Sequence, residues 1–181
     1  MRSTIRRAKA DDAARLRALQ AELTEPAPAL LDAAIPQSDD TRTELDPTRT
    51  GINTTRTETD ATHRDGSQPT PDALAATPAA FTLLVSVDDD DVAVGYLLAV
   101  RGESTHLAEL VVDPRARRGG RATALLSTLI EQHSHPITVH VAADNTAARE
   151  LYRSMGFQEQ ARSDDQFDHA AGVTLRYPRE G

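Results

Sequence analysis

Residues 111–126 read VVDPRARRGGRATALL, and no other stretch of the 181-residue chain constrains its folding so tightly. An apolar run stops at Pro114, Arg115, Arg117, Arg118 and Arg121 surround Gly119 and Gly120, and a helical pattern begins at once with Leu125 and Leu126. A strand, a short basic turn and a helix in direct succession aim several backbone N–H groups at one point, where the helix dipole adds partial positive charge. Two glycines let an anion approach the main chain closely. The segment predicts a phosphate or pyrophosphate site, against the plainer reading of an ordinary basic loop before a helix. It is not a Walker A loop, because GxxxxGK[ST] is absent and Lys9 is the only lysine. The dinucleotide pattern GxGxxG is absent as well.

The remaining chain supplies elements for one domain. Thr4–Ala8 reads as a strand, and Asp11 or Asp12 can cap a helix carrying Ala13, Leu16, Leu19 and Leu23 on one side. Pro26 and Pro28 end it, and one or two further turns fit 29–35. Thr70-Pro71-Asp72 suggests a short helix to about Thr77. FTLLVSV (81–87) and VAVGYLLAV (92–100), joined by four acids, predict an antiparallel hairpin with a solvated tip. A strand at 105–112, a helix at 120–133, a strand at 137–141 and a helix at 145–155 with Ala148, Leu151, Tyr152 and Met155 on one stripe follow. Gly156 is placed to cap that helix, and strands at 157–160 and 172–177 complete the chain. Antiparallel strands followed by strand–helix–strand–helix make an α+β domain.

Residues 38–69 stand apart. These 32 residues hold three apolar side chains (Leu45, Ile52, Ala61), nine Thr and eleven charges. Such a segment buries too little surface to offset its ordering entropy, so 38–69 is expected to be a polar, mobile insert in a single domain spanning 1–181. It also explains the low apolar content of 39%. With no cysteine, disulfide scaffolds, thiolate metal sites and cysteine nucleophiles are excluded, and no metal site is expected. The apolar runs are too short to span a membrane and the N-terminus has no signal-peptide core, so a cytoplasmic protein without membrane contact is expected. A net charge of −8 argues against nucleic acid as a partner. Nineteen arginines against one lysine fit either a saline cytoplasm or a GC-rich genome. An acidic surface also attracts cationic amines.

Arg117-Arg118-Gly119-Gly120-Arg121-Ala122, preceded by Val112-Asp113-Pro114, resembles the [Q/R]-x-x-G-x-[G/A] loop of the GNAT superfamily of N-acetyltransferases. Asn145, Ala148, Leu151-Tyr152 and Gly156-Phe157 are similar to that family's N-x-x-A-x-x-L-Y-x-x-x-G-F element at full spacing. The resemblance is specific over 81–157, weaker over 1–37, and does not extend to the Thr-rich segment. It implies the acyl-CoA N-acyltransferase fold: a mixed, mostly antiparallel twisted sheet flanked by helices, whose fourth and fifth strands splay apart.

By the same resemblance, acetyl-CoA is the co-substrate and enters that gap, its pantetheine arm lying along Leu110, Val111 and Val112 like an added strand. Its pyrophosphate rests on the amides of Arg118, Gly119, Gly120, Arg121, Ala122 and Thr123, with the Arg117 and Arg118 charges nearby. Asn145 bonds the pantetheine, caps the following helix, or both. The reaction implied is direct acetyl transfer to an amine of a small molecule or protein. Tyr152 is the expected proton donor to the leaving thiolate, with a core aromatic as the alternative. His140, Glu109 and a water chain compete for the role of base. A non-catalytic acyl-CoA-binding sensor or interaction module is the second reading. The expected partner is the amine acceptor, and a homodimer stays open.

Overall fold

Apolar runs interrupted by turns at 88–92 and 102–104 dictate three consecutive antiparallel strands, β2 (Phe81–Val87), β3 (Ala93–Arg101) and β4 (Thr105–Val112). The computed structural model describes residues 4–37, 80–167 and 170–178; the expected insert at 38–69 and the expected helix at 70–77 lie outside them. The other elements are β1 (Thr4–Arg7), α1 (Ala13–Gln20), α2 (Pro28–Ala34), α3 (Arg121–Gln132), β5 (Ile137–Ala142), α4 (Thr146–Ser154), β6 (Gln158–Phe167) and β7 (Ala170–Tyr177). One mixed sheet runs in the order β1-β2-β3-β4-β5-β7-β6, with β4 and β5 the parallel pair. No helix among the described residues is long and apolar enough to cross a membrane.

All seven residues of β2 are buried because helices cover both sheet faces. On one face Leu84, Leu97 and Leu107 join Leu125, Leu126 and Leu129 of α3 and Tyr152 of α4. On the other, Leu83, Val85 and Leu98 pack with Leu16 and Leu19 of α1 and Leu31 of α2. Each fully buried leucine contributes about 1.5–3 kcal/mol of transfer free energy. The three α3 leucines therefore hold that helix, and with it the loop at its N-terminus, against the sheet.

Two irregularities of β4 shape what lies at the centre. Leu98 pairs with Glu109 but the next residue, Ala99, pairs with Leu107, so Ala108 is an extra residue in the strand. Strict alternation would put Leu107 and Glu109 on the same face. The bulge instead turns Glu109 to the α1 side while Leu107 stays with α3. In addition, β4 pairs with β5 only from Thr105–Leu107 against Ile137–Val139. Beyond this the two strands part, and the expected splay is present. Gly95 lets β3 pass close beside the far end of β4: a Cβ there would sit 2.9 Å from the Val111 carbonyl.

Several elements differ from the sequence expectation. Asp12 is the N-cap residue of α1, but its side chain makes no cap hydrogen bond there; a 3₁₀ turn (Ala10–Asp12) precedes the helix, and the Asp12 carboxylate accepts from the Lys9 N–H at 2.7 Å and from Arg6 at 2.7 Å. Helix α1 stops at Gln20, ahead of both prolines, and Pro28 opens α2 rather than ending a helix. The acidic hairpin tip is not merely solvated. Asp91, at φ +58°, accepts from Arg6 at 2.8 Å and Lys9 at 2.9 Å and so ties the tip to the end of β1. Strand β6 runs seven residues past the expected Gln160, because pairing with β7 extends to Phe167–Ala170.

Candidate active site

The gap between β4 and β5 opens into a cleft of about 960 Å³, within the usual range for small-molecule sites. Leu110, Val111 and Val112 line it from β4, His140 from β5, Asn145 and Tyr152 from the start and the inner stripe of α4. Arg117, Arg118 and Gly120 line it from the loop before α3, and Arg121, Ala122 and Thr123 from the first turn of that helix. Gly119 is the expected loop residue that does not face it.

The loop's geometry explains its residue choice only in part. Gly120 is the N-cap of α3 at φ +73°, and a Cβ built on it would meet no atom of the described residues within 4 Å. Its position is a cradle that a side chain would fill. Gly119 has an ordinary conformation, and a Cβ there makes normal contact with the Ala116 carbonyl at 3.7 Å. The second left-handed residue is Arg118, at φ +62°. An arginine in that region is strained by about 1–2 kcal/mol, tolerated where surrounding contacts hold the loop. Those contacts come from neighbouring arginines. Arg117 Nε donates to the Val112 carbonyl at 2.9 Å, and Arg121 donates to Ser86 Oγ at 2.9 Å and the Val87 carbonyl at 2.8 Å. Arg15 reaches Asp113 at 2.6 Å from α1. The Arg121 guanidinium is thus spent on β2.

Asn145 caps α4, its Oδ1 accepting the Ala148 N–H at 3.1 Å. This leaves the Nδ2 donors for a ligand. Tyr152 is buried at 6% exposure, packs against Phe157 with tilted ring centroids 5.4 Å apart, and its hydroxyl makes no hydrogen bond to any described residue. Burial pushes its hydroxyl pKa well above the ordinary value, so it holds its proton. His140 is exposed to the cleft, and its Nδ1 lies 2.9 Å from Thr174 Oγ1. Burial lowers its pKa below that of a free imidazole, favouring the neutral form. Glu109 is 4% exposed, and its oxygens accept from Tyr96, Gln20 and the Ala27 N–H.

Three features carried no sequence signal. Glu22 and Glu25, in the loop after α1, line the cleft. His106 and His140 stand with ring centroids 4.9 Å apart where β4 and β5 part. Burial, followed by the charge of His140, lowers the His106 pKa. His133, at the C-terminal end of α3, is buried between the hydroxyls of Thr82 and Thr105.

A seven-stranded mixed sheet splayed between a parallel central pair, with a glycine-cradled helix N-terminus at the opening, is the fold of acyl-CoA N-acyltransferases. The chain belongs to the acetyltransferase (GNAT) family, whose model matches residues 48–157. It is 40% identical over 76 residues to a mycothiol acetyltransferase of Clavibacter sepedonicus. That match covers 41% of this chain and 25% of the relative, so the chain spans about a quarter of that curated protein's length. Among solved structures it resembles the ribosomal-protein-S18-alanine N-acetyltransferase from Escherichia coli, with a TM-score of 0.67 at 15% identity over 99% of this chain and 96% of that one. A phosphinothricin acetyltransferase from Sinorhizobium meliloti, solved with acetyl-CoA, gives a TM-score of 0.64 at 16% identity over 99% and 89%.

Proposed function

We propose that the protein moves an acetyl group from acetyl-CoA directly to an amine. The observation that carries this reading is the continuity of one cleft from the Gly120 cradle, along the free edge of β4, to Tyr152 and His140. An open space at the Gly120 Cβ position suits a pyrophosphate on the amides of residues 118–123. Beyond Leu107 the edge of β4 that faces β5 has no strand paired to it among the described residues, which suits an extended arm hydrogen-bonded to Leu110, Val111 and Val112. The Asn145 Nδ2 donors add a further contact.

Acetyl-CoA supplies an activated thioester. The acceptor nitrogen, once its ammonium proton has passed to solvent, bonds to the acetyl carbon as the carbon–sulfur bond breaks, so one further proton leaves the nitrogen and one reaches the sulfur. His140, neutral and open to the cleft, takes the first at its imidazole, directly or through a water. Tyr152, which retains its hydroxyl proton and has no competing partner among the described residues, gives the second. Glu22 and Glu25 on the cleft wall favour acceptors that arrive as ammonium ions. The domain is read as one unit of 1–181 with 38–69 as a polar insert.

Incubation with acetyl-CoA and a panel comprising spermidine, an amino acid, an aminoglycoside and a peptide with a free N-terminus tests this. Thiol release matched by acetylated amine is the expected outcome. Tight CoA binding with no transfer to any amine would support the acyl-CoA-binding module instead.

A further inference from the structure

The carboxylate of Glu109 gathers four hydrogen bonds from three chain segments. Gln20 Nε2 donates to both oxygens at 2.9 and 3.1 Å, the Tyr96 hydroxyl donates at 2.8 Å, and the Ala27 N–H donates at 2.6 Å. Gln20 is the last residue of α1 and Ala27 the residue before α2, so both ends of the 21–26 loop are pinned to one buried group. That loop supplies Glu22, Leu23, Thr24 and Glu25 to the cleft wall. Tyr96 is fully buried, and burial together with the neighbouring Glu109 charge keeps the proton on its oxygen, fixing it as donor. The bulge at Ala108 is what turns Glu109 to this side.

We infer that Glu109 is a positioning residue that clamps the 21–26 loop as the acceptor-side wall of the cleft, and is not the base. Its lone pairs are occupied by donors it cannot release without freeing the wall. The inference rests on the proposed function only in naming this wall as the acceptor side.

The two roles separate on substitution. Gln at 109 cannot act as a base, yet its amide oxygen still accepts from Ala27, and Gln20 can turn its own amide to match. Ala at 109 removes every acceptor. Glu109→Gln should therefore keep kcat within about fivefold of wild type, while Glu109→Ala should raise the amine KM at least tenfold and leave the KM for acetyl-CoA within twofold. The probe is whichever panel amine is turned over fastest. Independently, hydrogen exchange of the Ala27 amide should speed up at least tenfold in Glu109→Ala and remain close to wild type in Glu109→Gln. Should Glu109→Ala fail to fold, Gln20→Met removes two of the four bonds at constant volume and should speed exchange across 21–26. Equal loss of kcat, a hundredfold or more, in Gln and Ala variants with unchanged amine KM would overturn the inference in favour of a base. Unchanged exchange at Ala27 in Glu109→Ala, or across 21–26 in Gln20→Met, would overturn it as well. If no amine is turned over, the proposed function fails while exchange still decides the clamp.

Discussion

Tyr152 and His140 face the same cleft with opposite proton affinities, set by where each ring lies. Tyr152 sits in the core stripe of α4, where burial disfavours its anion; His140 stands on β5 at the mouth of the splay, where partial burial disfavours its cation. If the Tyr152 hydroxyl protonates the leaving sulfur, Tyr152→Phe should lower kcat by roughly 10²–10⁴. Because the ring is retained, melting temperature should barely change. Turnover within about threefold of wild type, with chemistry rate-limiting, would leave the residue as packing alone. The His106–His140 pair makes a second prediction. Both rings are held below the ordinary imidazole pKa of about 6.5, so below that pH the unfolded chain binds protons that the folded one resists. Stability should be at its plateau above pH 6.5 and fall as the pH drops toward the lowered folded values. Thermal melts from pH 7.5 to 5.5 should show this decline, and His106→Gln should flatten it; parallel curves for the two proteins would refute the assignment.

The loop–helix unit before α3 illustrates how an element is built from unequal parts. Its two glycines look equivalent in sequence, but only Gly120 needs its missing side chain, first for the positive φ and then for the open cradle. Gly120→Val should destabilise the protein by about 1–2 kcal/mol through left-handed strain. It should also raise the KM for acetyl-CoA at least tenfold, equivalent to about 1.4 kcal/mol. Steady-state kinetics on the folded variant decide the point, and an unchanged KM would remove the phosphate role from this turn. The four arginines divide as well. Arg117 and Arg121 brace the loop through carbonyls of β4 and β2, and Arg115 is exposed, with no side-chain bond among the described residues. Arg118 faces the cleft.

At the scale of the molecule, the described residues already form a sheet covered on both faces, with a core on each side. Residues 38–69, with three apolar side chains among 32, offer little surface to bury in such a core. Replacing this segment with a short Gly/Ser linker should change melting temperature and CoA affinity little, because loop closure depends only logarithmically on length. A large drop in melting temperature on calorimetry would show that the segment contributes packed structure. Acceptor preference is the property free to change, since the segment follows the two helices that border the acceptor wall.

What the sequence determined by itself is what can be written in a few consecutive residues. The strand–turn–helix at 111–126, the Asn145 cap, the Gly156 terminator at φ +94° and the element order all follow from periodicity, turn chemistry and family spacing. Those signals are local because the hydrogen bonds that make a helix, a cap or a tight turn close over three to five residues. Tertiary structure decided the rest. Whether Glu109 looks toward α1 or α3 hinges on one extra residue in β4, which leaves no mark on the alternation of THLAELVV. Its partner Gln20 is 89 residues away, and His106 meets His140 only because β4 and β5 pair in parallel up to Leu107 and then separate. Bonds across such separations are chosen by the packing of whole elements, so their residues can be candidates in the sequence but acquire roles only in the folded chain.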